Sequence, residues 1–257
     1  MSVVLSEHLP LLASAPNGIQ KLRGLILELA VRGKLVPQDP NDEPASELLN
    51  RIGKEQAGLD VGTTRKKIGP TPLDDGEMLF KLPESWAWER LGNAVEVLDS
   101  LRKPVPKSDR KPGPYPYYGA SGVVDYVSDF LFDEDLVLVG EDGAKWGAGD
   151  RTAFAISGKT WVNNHAHVLR PNRRVLIDSY LVHALVARDL QQYITGITVP
   201  KLNQAKLISI EIPVPPLAEQ HRIVAKVDEL MVLCDRLEQE VGAGETAEDG
   251  PILSFKL

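Results

Sequence analysis

Ile223, Val227, Leu230, Cys234, Leu237 and Val241 follow one another at spacings of 4, 3, 4, 3 and 4, and no other pattern limits the fold of this chain so strongly. The rhythm is the a/d repeat of a helix made to lie against another helix, narrower than the apolar stripe of an ordinary surface helix. At about 1.5 Å per residue such a seam runs for roughly 27 Å, long enough to hold two bodies apart. The same period also serves a helix folded back on its own domain, and spacing does not choose between the two. A first helix carries a similar seam: Ile19, Leu22, Ile26 and Leu29 repeat at 3, 4 and 3, and the helix is expected to end near Gly33, where glycine takes the left-handed position. Beyond the turn PQDPNDEP, Pro44 opens a second helix bearing Ala45, Leu48, Leu49 and Ile52.

Between these helices the signals change. Residues 58–82 have no steady period and read as a linker or arm. From Trp86 to Val214 the pattern is short and β-like: LVLVG at Leu136 to Gly140, WVNNHAHVL at Trp161 to Leu169, and Ile208, Ile210, Ile212 and Val214 alternating with Ser209, Glu211 and Pro213. One helix interrupts them, with Asp178 or Ser179 as N-cap and Leu181, Ala184, Leu185 and Leu190 on its buried side. The fold class is therefore α+β: a globular domain with a twisted, mainly β sheet, and long coiled-coil-forming helices at both ends. The divisions are an arm over 1–16, a helical region over 17–57, a linker over 58–84, the globular domain over 85–214, a coiled-coil helix over 215–241 and a tail over 242–257. After Glu240 the sequence VGAGETAEDGPILSFKL leaves the heptads, and its glycines and acids predict that the helix ends there.

Charge bears on partners. Lys+Arg 29 against Asp+Glu 36 gives −7, where a self-sufficient DNA binder is usually basic. The deficit is uneven: Glu84 to Glu211 holds 15 basic and 16 acidic residues, whereas Pro213 to Leu257 holds 4 and 9. The middle is free to carry a basic face. Leu101 to Pro112 gathers Arg102, Lys103, Lys107, Arg110 and Lys111 against Asp109, a run suited to phosphates or to plain hydration. No apolar run approaches the roughly 20 residues of a membrane span, and no basic stretch precedes the short apolar one at the N-terminus, so a cytoplasmic location is expected. One cysteine excludes a disulfide framework; on the seam, Cys234 reads as a small apolar residue.

No catalytic constellation stands out. His165 and His167 lie two apart in WVNNHAH and would share one face of a strand, but the motif supplies no third ligand, so no metal is expected there. A metal-dependent nuclease or hydrolase using His165, His167 and Asp142 is the enzymatic alternative. GEDGAKWGAGDR lacks the glycine spacing and the Lys-Ser/Thr pair of a phosphate loop. For base edges and phosphates the right residue types are Arg102, Lys103, Lys107, Arg110, Lys111, Lys145, Lys201, Asn203 and Gln204, with Tyr115 and Tyr117 able to stack or hydrogen-bond.

Two long segments carry a family likeness. PPLAEQHRIVAKVDEL followed by LCDRLE resembles the conserved helical region of specificity subunits of Type I restriction-modification systems, and Ile19 to Ile52 resembles the segment that precedes a target recognition domain in the same family. GPYPYYGASG, WVNNHAHVLRP and PKLN between them also resemble phrases of such a domain. The resemblance implies a non-catalytic DNA-reading subunit of half length, with one recognition domain for half of a split target. Its implied partners are double-stranded DNA, a modification subunit that carries S-adenosylmethionine and methylates adenine, and through it a restriction subunit. A homodimer, or pairing with a second specificity half through an uncovered seam, is expected, with no cofactor on this chain and no membrane. A decoy that binds the modification subunit but not DNA is the other alternative. Phrases shared among readers of different sequences suit scaffold or phosphate contact, which sends base readout to Leu98 to Lys111 and Ala144 to Ser157.

Overall fold

The computed structural model describes residues 17–59 and 80–248, with side chains for 17–55 and 80–240. The expected arm over 1–16, residues 60–79 of the expected linker, residues 249–257 and the side chain of Val241 lie outside the described residues. Two helices come first, α1 (Gly18–Val31) and α2 (Ala45–Leu59). The middle holds β1 (Ala87–Arg90), α3 (Leu91–Ala94), β2 (Val95–Val97), β3 (Tyr115–Gly119), β4 (Gly122–Val127), β5 (Phe132–Asp133), β6 (Leu136–Gly140), β7 (Ala153–Ile156), β8 (Lys159–Val162) and β9 (Ala166–Pro171). Then follow α4 (Asp178–Val186), α5 (Gln204–Ile208), β10 (Glu211–Val214) and the long α6 (Leu217–Glu248). The fold is α+β with helices at both ends.

The strands form a β2-β9-β6-β7 sheet, a β4-β3-β8-β5 sheet and a two-stranded ribbon of β1 with β10. Pairing is antiparallel except between β3 and β8. The run LVLVG explains how two layers share one strand. Leu136 and Leu138 join a cluster with Phe132, Phe154 and Val168, while Val137 and Val139 point the other way into the main core with Leu169, Leu181 and Leu185. A strand buried on both faces needs a continuous apolar run.

The seam of α6 meets a partner within the same chain. Ile223, Val227 and Cys234 are buried, Leu230 and Leu237 pack half-buried on the same cluster, and α1 supplies Ile19, Leu22 and Ile26. Polar contacts fix the direction. Arg23, early in α1, donates to Asp235 at 2.6 Å and Glu238 at 2.9 Å, while Gln38 and Asp42, after α1, bind Glu219 and Arg222 near the start of α6. The two helices thus run antiparallel. The expectation that this seam stands uncovered is overturned, because α1 lies on it. On α1 the stripe is broader than a/d, with Leu27, Ala30 and Val31 also buried and Leu29 at the margin, since α1 faces α4 as well as α6. Each helix keeps one large apolar side chain outside: Leu25 is 40% exposed and Val232 48%.

Gly33 ends α1 as the sequence implies, at φ +67, and an added Cβ would stand 2.4 Å from Cγ of Pro83. Three expectations need correction. Helix α6 continues to Glu248, past Glu240; a glycine costs a helix only about 1 kcal/mol, and Ala243, Glu245 and Ala247 are good helix formers. The N-cap of α4 is Ile177; Asp178 is the first helical residue, with its Oδ2 accepting from Arg173 at 2.7 Å. The alternation from Ile208 to Val214 is not one strand: Ile208 ends α5, and β10 starts at Glu211. Asn203 caps α5 by accepting from Lys206 N at 2.9 Å, which turns that stretch helical.

Leu217 to Gln220 explains the wording of PPLAEQ. Glu219 accepts from Trp86 Nε1 at 2.9 Å and Gln38 Nε2 at 2.6 Å. Burial pushes its carboxyl up, against the pull of those two donors and of Arg222. Gln220 accepts from Ile177 N at 2.9 Å and donates to Val175 O at 2.8 Å and Pro215 O at 3.1 Å. Both side chains are fully buried and join α6 to the globular part. Among the described residues no helix is long and apolar enough to cross a membrane.

Candidate nucleic-acid interface

Four loops, far apart in sequence, meet at one end of the sheets. Lys103 N donates to Val162 O at 3.2 Å and Trp161 Nε1 to Lys103 O at 2.7 Å, joining the basic run to the end of β8. Glu141 N donates to His165 O at 2.8 Å and Leu202 N to Glu141 O at 2.8 Å. A β-bridge pairs Asp142 with Lys201. The segments LDSLRKPVPKSDR, GEDGAKW, NNHAH and VPKLNQ, singled out separately in the sequence, therefore form one surface.

An ionic cluster locks them together. Asp99 Oδ2 lies 2.5 Å from His167 Nδ1 and 3.2 Å from Arg102 Nη2. Glu141 takes Arg102 Nη1 at 2.5 Å and Lys201 Nζ at 2.5 Å, and Arg102 also donates to Ala166 O at 2.7 Å. His167 Nε2 faces Leu202 O at 2.7 Å, where it can only donate; Nδ1 must donate too if Asp99 is ionised. Burial works against that ionisation, but the His167 hydrogen bond and charge, the Val168 N–H and Arg102 outweigh it and hold the Asp99 carboxyl below its usual range. The hydrogen bond that Lys201 donates to Glu141 raises the Lys201 ammonium, keeping it charged.

Ligand atoms of Asp99, Glu141 and His167 lie within 4.8 Å of one another, the spacing of a metal site. Arg102 and Lys201 already neutralise these carboxylates, so the cluster works as a lock between loops. The two histidines do not share a strand face. Asn163 Oδ1 accepts from His165 N at 2.8 Å, making a turn that breaks WVNNHAHVL into β8 and β9. His165 stands exposed against Asp142, while His167 is buried against Asp99. These acids come from other elements, Asp99 68 positions before His167, and no local spacing announces them.

A depressed carboxyl stabilises the fold above its unfolded value, about 3.9, and that contribution is lost as pH falls through the folded value. The stability gap between wild type and Asp99→Asn is thus expected to be widest near neutrality and to narrow as pH falls below about 4, as read from urea midpoints.

Four candidate contact residues are buried or half-buried, with polar atoms engaged inside the chain. Arg102 has a side chain only 13% exposed and is turned into the cluster. Arg110 donates to Val105 O at 3.0 Å and Asp125 at 2.9 Å and lies 4.3 Å over the Tyr117 ring. Tyr117 is buried, stacked on Trp161, with its hydroxyl accepting from Val105 N at 3.0 Å. Asn203 spends its oxygen on the α5 cap and donates to Thr195 Oγ1 at 3.2 Å. In these four, other groups of the chain take up polar atoms that a base edge or phosphate would need. Lys103, Lys107, Lys111, Lys145 and Gln204 are exposed, Lys201 is partly exposed beside Glu141, and Tyr115 is half-buried edge-on to Phe130. The exposed apolar pair Ile197 and Val199, between Thr195 and Lys201, escaped the sequence reading, because a two-residue apolar signal in a loop looks like any other.

Comparison with known proteins follows the same lines. The family model described as Type I restriction modification DNA specificity domain matches residues 83–243. The chain is 33% identical over 246 residues to the Type I restriction enzyme EcoAI specificity subunit of Escherichia coli, covering 87% of this chain and 41% of that one. It is 36% identical over 146 residues to the putative type I restriction enzyme specificity subunit S.HindORF215P of Haemophilus influenzae, covering 57% and 37%. The chain thus spans about two fifths of the length of the curated relatives it matches. In fold it is similar to the HsdS subunit from Thermoanaerobacter tengcongensis, with a TM-score of 0.50 at 18% identity over 86% of this chain and 46% of that one. A chain from a structure of type I R-M system assembly and conformational transition gives 0.52 at 18%, over 79% and 49%.

Proposed function

Because the chain belongs to the Type I restriction modification DNA specificity family, we propose that it is the DNA-reading part of a Type I complex, taking one half of a split target on the surface where its four loops meet. The observation that carries this is the lock of Asp99, Glu141, Arg102, Lys201 and His167, which fixes four loops on one face while leaving Lys103, Lys107, Lys111, Lys145 and Gln204 in solvent. Fixed loops with free cations suit a rigid reader: lysines hold phosphates, and neighbouring polar side chains meet base edges. Methyl transfer belongs to a modification subunit with its own S-adenosylmethionine, and cleavage to a restriction subunit reached through it. The chain itself is an adaptor working in the cytoplasm, without catalysis or cofactor. The antiparallel pair of α1 and α6 is the docking rod for those subunits. A second specificity half, supplied by another copy of this chain or by a different one, meets the outer flank of the rod near Leu25 and Val232, since the a/d seam is already filled.

Methylome sequencing of cells carrying this chain with its modification subunit tests the function. The expected result is one split adenine-methylated motif that disappears when the chain is deleted, palindromic if two copies pair. Methylation that persists unchanged without the chain would overturn the proposal. Lys145→Ala in the assembled complex is expected to leave the motif intact, to weaken binding at all sites alike, and to reduce the salt-dependence slope by about 1, read from filter binding across a salt series.

A further inference from the structure

The loop between Thr195 and Lys201 is closed by a reciprocal pair of backbone hydrogen bonds, Thr195 N to Lys201 O at 2.9 Å and Lys201 N to Thr195 O at 2.8 Å. Thr195 Oγ1 adds a third bond to Lys201 O at 3.2 Å, and Asn203 Nδ2 steadies that hydroxyl. Gly196 sits at φ +88 with Val199 O only 2.5 Å from where a Cβ would be, so the turn is tight enough to require glycine. Its base stands on the ionic lock through Lys201 and Glu141, and through Leu202 O and His167. A loop fastened this firmly would be expected to end in polar residues. It presents Ile197, fully exposed, and Val199, 64% exposed, between Gly196 and Pro200.

An apolar pair held out on a rigid stalk gains nothing in the free protein and gains its burial only when something closes over it. The surroundings favour a nucleic acid: Lys103 and Lys145 stand exposed on loops tied to the same lock. Proteins that bend duplexes insert short apolar side chains between base steps, with cations on the flanking phosphates. We propose that Ile197, backed by Val199, is a wedge that enters a base step of the bound duplex and partly unstacks it. The proposal rests on the DNA-reading function above and deepens it, because a wedge reads how easily a step opens and needs no hydrogen bond to a base edge.

The test uses the complex of this chain with its modification subunits and duplexes bearing the methylation-defined target, with 2-aminopurine placed in turn at each position. Wild type is expected to raise the fluorescence several-fold at one step. Ile197→Ala should abolish that rise and weaken binding about tenfold, while Ile197→Leu retains both. The thermal midpoint of Ile197→Ala should match wild type, since the side chain is wholly exposed, so any loss is not unfolding. Tight binding by wild type with no rise at any step overturns the wedge and leaves the DNA-reading function standing. So does an Ile197→Ala complex that behaves as wild type, or one that loses its modification subunits, which would assign the tip to protein docking. Failure of the wild-type complex to bind any methylated target overturns the wedge together with the function beneath it.

Discussion

Replacing Glu141 with alanine is expected to cost the fold about 3–5 kcal/mol, the scale of breaking a buried ion pair from one side. The carboxylate meets Arg102 at 2.5 Å and Lys201 at 2.5 Å and is itself nearly buried. Without it, the Arg102 guanidinium keeps the Asp99 carboxylate and the carbonyls of Asp99, Asn164 and Ala166, in a place where water hardly reaches. Urea unfolding at neutral pH would measure the loss. Removing Arg102 as well should recover part of it, so the double-mutant cycle should show coupling well above 0.5 kcal/mol. Methylation by the assembled complex should fall with the single change, because the loops around residues 102, 141, 165 and 201 lose their common anchor. An unchanged urea midpoint would mean that the backbone bridges hold those loops unaided.

Gln220→Ala is expected to cost about 2–4 kcal/mol, since each buried polar group left unmet costs about 1–3 kcal/mol. The amide bridges the start of α6 to the 175–177 segment, through Ile177 N and Val175 O. Amide exchange at Ile177 should accelerate markedly, while Gln239→Ala, on an exposed face of the same helix, should leave both stability and exchange unchanged. Equal effects from the two glutamine changes would refute the bridging role.

Much of the helical frame was legible because period is a local property. Ile223, Val227 and Cys234 are buried as an a/d seam should be, and Ala45, Leu48, Leu49 and Ile52 all face the core of α2. Period did not say which helix covers the seam. That answer lies about 200 positions upstream, in Arg23 meeting Asp235 and Glu238. The two-faced burial of LVLVG was implied by its lack of polar residues, whereas WVNNHAHVL misled because Asn163 makes a turn with its side chain. The contact surface was legible in residue type and not in placement. Arg102 and Lys103 are neighbours in a basic run, yet one is held by Asp99 three residues before it and by Glu141 just past β6, and the other stands exposed. Only the fold distinguishes them, because burial and partners are properties of the assembled sheet.

The β1–β10 ribbon pairs Ala87 with Val214 and Arg90 with Glu211. Entry and exit of the whole intervening globule therefore stand one strand spacing apart, about 4.8 Å. A body whose chain enters and leaves at adjoining points is laid out as a cassette: gene exchange with both crossovers in that ribbon would replace the globule and keep the helices, provided that the incoming α4 packs on α1 and α6 as this one does. Such a swap would still have to preserve the grip of Gln220 on Val175 and Ile177, the toll any incoming cassette must meet.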